Sequence, residues 1–114
     1  MLKNEKNIDF SLIDKSLLNI QLVQKLEAVQ SICESQIIIT SGFRSVKYDK
    51  SIGGSGKNAH TRGLAVDIRC RNSRDRFYII RALILYGFNR IGDEKDHIHA
   101  DIDKSLDNNV LFRE

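Results

Sequence analysis

The three histidines are the residues of this chain whose type and spacing most suggest chemistry. His60 lies seven residues before Asp67, and His97 and His99 follow near the end of the chain. The separation of His60 and Asp67 differs from the i, i+4 spacing of two metal ligands on one helix. Both side chains would have to converge from a loop and the strand that follows it, and the glycine and alanine between them would permit that approach.

The late histidines belong to an alternating segment. In a strand, His97, His99 and Asp101 would point to one face, whereas Ile98 and Ala100 would point to the core. Two imidazoles and one carboxylate favour zinc, and three protein ligands leave a fourth position open for water, as in hydrolytic sites. The alternative is a set of exposed loop histidines beside an aspartate in a salt bridge, and spacing alone leaves both interpretations open.

Two helices are predicted around these residues. Apolar residues recur at helical spacing from Leu18 to Cys33, which indicates an amphipathic helix. A second helix is predicted from Ser73, as N-cap, to about Tyr86, with Gly87 placed to end it. The stripe of the second helix predicted to face the core is Phe77, Ile80 and Ile84.

Short strands are predicted between and after the helices. They are Ile37–Thr40, Leu64–Arg69 (half-buried by its alternation), Phe88–Ile91 and Ile98–Ile102, with a hairpin turn at 92–95. The glycine-rich segment from 44 to 63 is predicted to be irregular. Because helices and strands do not alternate as βαβ, we predict an α+β fold with a small antiparallel sheet flanked by helices.

Composition limits the possibilities further. The 114 residues suffice for one domain, 1–114, and the 41% hydrophobic content can supply its core. The net charge of +3 is spread along the chain, which gives little support to nucleic-acid binding. We expect Cys33 and Cys70 to be small apolar residues. Apolar runs are too short for membrane insertion and the N-terminus is polar, so we expect synthesis in the cytoplasm without a signal peptide.

Several separated motifs, in order, resemble the zinc peptidase family of D-alanyl-D-alanine carboxypeptidases and L-alanyl-D-glutamate endopeptidases. These motifs are Ile39-Thr40-Ser41-Gly42-Phe43-Arg44-Ser45, Gly53-Gly54, His60-x-x-Gly63-x-Ala65-x-Asp67-Ile68, Gly87-Phe88, Ile91-Gly92 and Asp96-x-x-His99-x-Asp101. The resemblance covers roughly residues 37 to 102. It implies the hedgehog/DD-peptidase fold, a small antiparallel sheet flanked by helices.

The resemblance also implies roles for particular residues. The implied ligands of one zinc ion per chain are His60, Asp67 and His99. Asp96 matches the acidic general base three positions before the last ligand, with Asp93 and Glu94 as competitors. Arg44 matches an arginine that contacts the substrate and stabilises charge at the scissile carbonyl, and His97 is an auxiliary residue beside the metal.

Other polar residues have two interpretations each. Ser41 either lines the cleft or belongs to an ordinary Ser-Gly turn. Asn58 replaces a serine that many relatives carry, which predicts altered substrate contacts. Asp101 either supports a ligand histidine or forms a surface salt bridge. The arginines near the ligand strand either attract an anionic polymer or form a solvated face; they are Arg62, Arg69, Arg71, Arg74 and Arg76.

The predicted function is a zinc metallopeptidase that cuts a peptidoglycan stem peptide, with the L-Ala-D-Glu and D-Ala-D-Ala bonds both open. Without a signal peptide, the expected setting is a phage endolysin or virion wall-cutting protein that reaches the cell wall after release. The alternative is a non-catalytic phage structural module whose zinc takes His97 as fourth ligand.

Overall fold

The computed structural model of the protein describes residues 7–113, and in this part of the chain five strands form one sheet. The elements are a 3-10 turn at Lys15–Leu17, α1 (Ile20–Ile32), β1 (Ile39–Ser41), α2 (Val46–Ser51), β2 (Ala65–Arg69), α3 (Ser73–Leu85), β3 (Arg90–Asp93), β4 (His97–Asp101) and β5 (Val110–Phe112). Residues 1–6, on which the expected lack of a signal peptide depends, lie outside the described part. None of the helices within 7–113 is both long and apolar enough to span a membrane.

The sheet has the strand order β1-β2-β4-β3-β5. The first three pairings are antiparallel, so the predicted α+β fold with its small antiparallel sheet is confirmed for these four strands. The fifth strand was not predicted, and it runs parallel to β3, with Arg90 opposite Val110. The sheet is therefore mixed, because the chain returns to the β3 edge after β4. The turn before β4 lies at 94–96 rather than 92–95, since β3 continues to Asp93.

Both long helices form where the sequence predicts them. Asn19 caps α1, and the α1 residues Leu22, Leu26 and Val29 are buried. Helix α3 is capped by Asn72 instead of Ser73, because the Asn72 side chain accepts a hydrogen bond from the Asp75 amide. Gly87 has a φ of +77° and follows α3 directly, as expected for a residue that ends a helix in the left-handed region.

The predicted core stripe of α3 is wrong. Phe77 and Ile84 are exposed and Ile80 is only partly buried, whereas Ile79, Ala82 and Leu83 point into the core. Helix α3 carries apolar residues on two sides, so two stripes satisfy the helical period. The stripe of Ile79, Ala82 and Leu83 is the buried one, because α3 packs against α1 and the sheet on that side.

The two faces of the sheet have different roles. Val66 and Ile68 of β2, with Ile98 and Ala100 of β4, belong to the core beneath α1 and α3. On the opposite face Ala65 and Asp67 are buried as well, so the prediction of a half-buried β2 is wrong. This face of β2 is covered because Arg44 and His60, from the segment between β1 and β2, contact Asp67.

That covering segment is less irregular than predicted. It contains α2, whose N-cap Ser45 accepts a hydrogen bond from the Tyr48 amide at 3.1 Å. Upstream, Asp9 pairs with Ile38 as a single bridge, which extends the sheet edge beside β1. Cys33 and Cys70 are buried thiols, as expected of small apolar residues, and burial raises the pKa of both.

Candidate metal centre

Three side chains converge on one point above the sheet. His60 Nε2 lies 3.3 Å from Asp67 Oδ1, and His99 Nδ1 lies 3.4 Å from the same oxygen. The donor atoms of this group all lie within 4.8 Å of one another. Tetrahedral zinc with bonds of 2.0–2.1 Å would separate its ligand atoms by about 3.4 Å. The spacing of these donors therefore fits zinc.

In both imidazoles, the ring nitrogen that points away from Asp67 Oδ1 already has a hydrogen-bond partner. His60 Nδ1 donates to the carbonyl oxygen of Gly42 at 2.8 Å, and His99 Nε2 donates to Asp101 Oδ2 at 2.6 Å. Each of these hydrogen bonds keeps the ring proton on the nitrogen that donates it. The other ring nitrogen can therefore direct a lone pair at a metal. Asp101 is fully buried and also accepts from Arg90 Nε at 2.8 Å, so it supports the histidine and forms an ion pair at once.

Electrostatics at the centre favours a cation. Burial alone would lower the pKa of His99, but hydrogen bonds to Asp101 and Asp67 outweigh burial and raise it to about 9. For Asp67, burial opposes ionisation, yet the adjacent His60 and His99 imidazoles hold its pKa below the usual range. The carboxylates thus create a position at which positive charge is stabilised.

Strand pairing explains how two of the three side chains meet. In the β2–β4 ladder Asp67 lies opposite His99, and Arg69 lies opposite His97. Paired residues project to the same face of a sheet, so register alone brings Asp67 and His99 together. His60 arrives from the loop before β2, where its carbonyl accepts from the Arg44 amide at 3.2 Å.

Arg44 anchors Asp67, the carboxylate of the candidate metal centre. Its Nη2 donates to Asp67 Oδ2 at 3.1 Å, Nε donates to Ser41 Oγ at 3.3 Å, and Nη1 lies 3.5 Å from Asp49 Oδ1. Asp49 is fully buried, and hydrogen bonds from Asn58 and the Gly56 amide hold its pKa below the usual range. Asp49 was not predicted. Its position in an exposed-looking Lys-Tyr-Asp-Lys segment gave no signal of burial.

The side chains of Ser41 and Asn58 form hydrogen bonds with other groups of the protein. Ser41 contacts Arg44 as described and is absent from the cavity lining among the described residues. Asn58 lines the cavity, and its Nδ2 donates to Asp49 Oδ2 at 2.9 Å while its Oδ1 accepts from the Thr61 amide. Both candidates therefore help to hold the loop that carries His60.

Asp96 and His97 lie beside the ligands without joining their group. Asp96 sits in the turn before β4, as its proposed role requires, and its side chain is 88% exposed. It accepts a hydrogen bond from His97 Nδ1 at 2.9 Å, and this bond lowers the pKa of Asp96. His97 Nε2 faces the centre, 3.9 Å from Asp67 Oδ1.

The competing carboxylates differ in their surroundings. Asp93 forms ion pairs with Arg76 and Arg113, whereas Glu94 lines the cavity above the metal centre. Glu94 is therefore the competitor that could reach a substrate.

The centre opens into a cavity of about 520 Å³. Arg44, Arg90, Glu94 and His97 supply polar walls, and Phe112 of β5 supplies an apolar one. The Phe112 ring lies 5.6 Å from the His99 ring and 5.5 Å from the Arg90 guanidinium. Neither Arg90 nor Phe112 was predicted as a site residue.

Gly92 leaves the space that Phe112 occupies. A Cβ at this position would lie 2.7 Å from the Phe112 ring and 2.9 Å from the His99 Cβ. We expect Gly92→Ala to displace β5 and to lower the free energy of unfolding by about 1–3 kcal/mol through overpacking. Urea denaturation measures this cost. In a Phe112→Ala background the same glycine substitution should lower the free energy of unfolding by less. An equal loss in both backgrounds would contradict the contact between position 92 and the Phe112 ring.

Asp103 ties the loop of His60 to the end of β4. It is buried and accepts from Arg62 Nε at 2.6 Å and from Ser105. Burial would raise the pKa of Asp103, but the bonds from Ser105 and Arg62 outweigh burial and lower it. Since the folded pKa lies below the unfolded value of about 3.9, the stabilisation is present above that value and is lost as pH falls through the folded pKa.

Asp103→Asn is therefore expected to lower stability by about 1–3 kcal/mol at neutral pH. Urea midpoints at pH 7, 4 and 2.5 should show the difference from wild type nearly constant down to pH 4 and shrinking below it. Asp107→Asn, an exposed aspartate nearby, should have little effect at any of these values. If the stability difference between Asp103→Asn and wild type stays constant down to the lowest pH, the lowered pKa of Asp103 is contradicted.

Two imidazoles and a carboxylate that face an open cavity are a donor set of catalytic zinc centres in hydrolases. The family model for Peptidase M15 matches residues 2–101, and the chain belongs to this family. The match confirms the resemblance seen in the sequence, and it ends before Asp103 and Phe112. The search of curated proteins found no match.

Proposed function

We propose that the chain is a single zinc peptidase domain that hydrolyses a peptide bond in peptidoglycan stem peptides. The observation that carries this proposal is the spacing of the His60, Asp67 and His99 donor atoms, which fits tetrahedral zinc beneath an open cavity. Membership of Peptidase M15 supports a peptidase.

One zinc ion would be held by His60 Nε2, Asp67 Oδ1 and His99 Nδ1. When bound at such a centre, zinc polarises a carbonyl group and lowers the pKa of a coordinated water to about 7. The chain's contribution is to hold these donors in place, and the bonds of Gly42 and Asp101 to the outward ring nitrogens do this.

We assign the proton transfers to Asp96, assisted by His97. The exposed carboxylate of Asp96 is ionised at neutral pH, as its ordinary pKa dictates, and the hydrogen bond from His97 lowers that pKa further. Asp96 accepts the proton that water loses as its oxygen bonds to the peptide carbonyl carbon. The same proton then passes to the nitrogen of the leaving amine as the C–N bond breaks.

Arg44 is the second proposed catalytic residue. Its contacts with Ser41, Asp49 and Asp67 fix the guanidinium at the wall of the cavity. A cation held in this way stabilises negative charge that develops on the carbonyl oxygen. Ser41 and Asn58 would influence substrate binding through Arg44 and Asp49.

Digestion of purified peptidoglycan by the zinc-loaded protein tests the proposal. New N-terminal D-glutamate is expected if the L-Ala-D-Glu bond is cut, and free D-alanine is expected if the D-Ala-D-Ala bond is cut. Release of neither product from any wall type contradicts the proposed function.

The proposed setting is the wall-cutting step of a phage, by an endolysin or a virion component. The exposed side chains of Arg71 and Arg74, near the strand that carries Asp67, support this setting because they would attract an anionic wall polymer. Added protein should lyse bacteria whose outer layers have been permeabilised, and the lysis should weaken as salt is raised.

A further inference from the structure

We propose that a second cavity, rich in basic residues and adjacent to the metal centre, binds a carboxylate of the substrate. This inference rests on the proposed function and adds a feature of the substrate that the enzyme would recognise. The cavity has a volume of about 630 Å³, and its basic residues are Arg69, Arg71 and Lys95. We call it the basic cavity.

The basic cavity lies next to the metal cavity. Asp67 and His97 line both of them, so one extended peptide can occupy the two together. Arg69 lies two residues after Asp67 on β2 and opposite His97 on β4, which places it on the face of the sheet that carries the ligands. Two residues along a strand span about 7 Å, roughly the length of two peptide units.

The basic residues of this cavity have no close ion-pair partners in the described part of the chain. Among residues 7–113, no carboxylate forms an ion pair with Arg69, Arg71 or Lys95 at 4.0 Å or less. Asp9 and Asp96 interact electrostatically with Arg69 and Lys95, respectively, at longer range. The two carboxylates that line the cavity, Asp67 and Asp96, make their hydrogen bonds elsewhere. Asp67 contacts the ligand histidines and Arg44, and Asp96 accepts from His97. The lining holds three basic side chains against two carboxylates, so net positive charge remains for a ligand.

Guanidinium and ammonium groups recognise carboxylates through charge-assisted hydrogen bonds. A stem peptide offers this group in two places, as the free carboxylate of its glutamate and as its C-terminal carboxylate. The basic cavity would hold one of these while the scissile bond lies over the metal centre. Occupation by the glutamate carboxylate would favour the L-Ala-D-Glu bond, and occupation by the C-terminal carboxylate would favour a bond near the C-terminus.

The test uses the zinc-loaded protein and a synthetic stem peptide that contains both bonds, in three forms. One form has both carboxylates free, one has the glutamate carboxylate amidated, and one has the C-terminus amidated. The double variant Arg71→Gln/Lys95→Gln removes two charges from exposed side chains. The double variant Arg74→Gln/Lys104→Gln removes two exposed charges that lie outside the lining of the basic cavity and serves as the matched control.

We expect the first double variant to raise KM for the free peptide about tenfold and to leave kcat within about twofold of wild type. Amidation of the recognised carboxylate should produce the same rise in wild type, and the variant should then lose nothing more. The control variant should resemble wild type. An equal penalty for all three peptides, or none, overturns the proposal.

Equilibrium binding of the three peptides, followed by calorimetry, separates this inference from the proposed function. If wild type cleaves none of the peptides but binds the free form about tenfold more tightly than one amidated form, the carboxylate site stands and the peptidase proposal fails. If it cleaves them and binds all three alike, the carboxylate site is wrong.

Discussion

Asp67→Ala is expected to reduce bound zinc from one ion per chain to almost none and to lower hydrolysis by at least about 1,000-fold. Asp67 Oδ1 is the point on which both histidines converge, at 3.3 Å and 3.4 Å. Without this oxygen only the two imidazoles would remain, and two ligands are too few for a zinc centre. Metal analysis after dialysis and release of new amino groups from peptidoglycan measure the two effects.

The folded state needs its own control, because Asp67 is buried and also accepts from Arg44. Asp67→Asn keeps the shape of the side chain and should fold, while binding zinc more weakly than wild type. Arg62→Gln changes the loop that carries His60 without removing a ligand, and this variant should retain one zinc per chain. An Asp67→Ala protein that is folded and still holds one tightly bound zinc ion contradicts the ligand assignment.

Asp96→Ala is expected to lower kcat by about 100- to 10,000-fold while zinc content stays at one ion per chain, as for loss of a general base. The side chain is 88% exposed, so its removal should leave the unfolding midpoint close to that of wild type. Steady-state hydrolysis of a stem peptide, with zinc measured in the same sample, gives the comparison.

Two neighbouring substitutions identify the base. Glu94 lines the metal cavity, so Glu94→Gln is the matched test of the competing carboxylate, and we expect it to reduce kcat far less than Asp96→Ala does. His97→Ala removes the donor to Asp96 and should reduce kcat by an intermediate factor. A large loss in Glu94→Gln with little loss in Asp96→Ala would transfer the role of base to Glu94.

The sequence predicted the strand-borne half of the site because strand alternation is a local property. His99 and Asp101 project to one face of β4 whatever the rest of the fold does, and Ile98 and Ala100 are fully buried on the other. The convergence of His60 on Asp67 required the resemblance to a family, since loop geometry cannot be calculated from spacing.

The residues that were missed depend on long-range contacts. Asp49 is buried only because the loop after α2 folds back and donates the Gly56 amide and the Asn58 side chain to it. Phe112 reaches His99 only because β5 adds to the edge of β3. Neither the burial of Asp49 nor the contact of Phe112 with His99 produces a local pattern in the sequence.

The two wrong burial predictions have the same origin. For α3 the sequence offers two apolar stripes, and only the position of α1 and the sheet decides that Leu83, not Phe77, is buried. For β2 the alternation indicates one exposed face, but its central place in the sheet and the covering loop bury both. Tertiary packing selected between alternatives that local periodicity could not separate.

Zinc titration of the metal-free protein, with hydrolysis followed in the same sample, tests whether peptide hydrolysis depends on a metal ion bound at this centre. The protein is stripped with a chelator, zinc is added in steps, and new amino groups from purified peptidoglycan are counted after each step. We predict that hydrolysis is absent at first, rises in proportion to zinc and levels off at one equivalent per chain. Binding of one equivalent without hydrolysis of any wall type would contradict the catalytic account and would favour a structural zinc with His97 as fourth ligand.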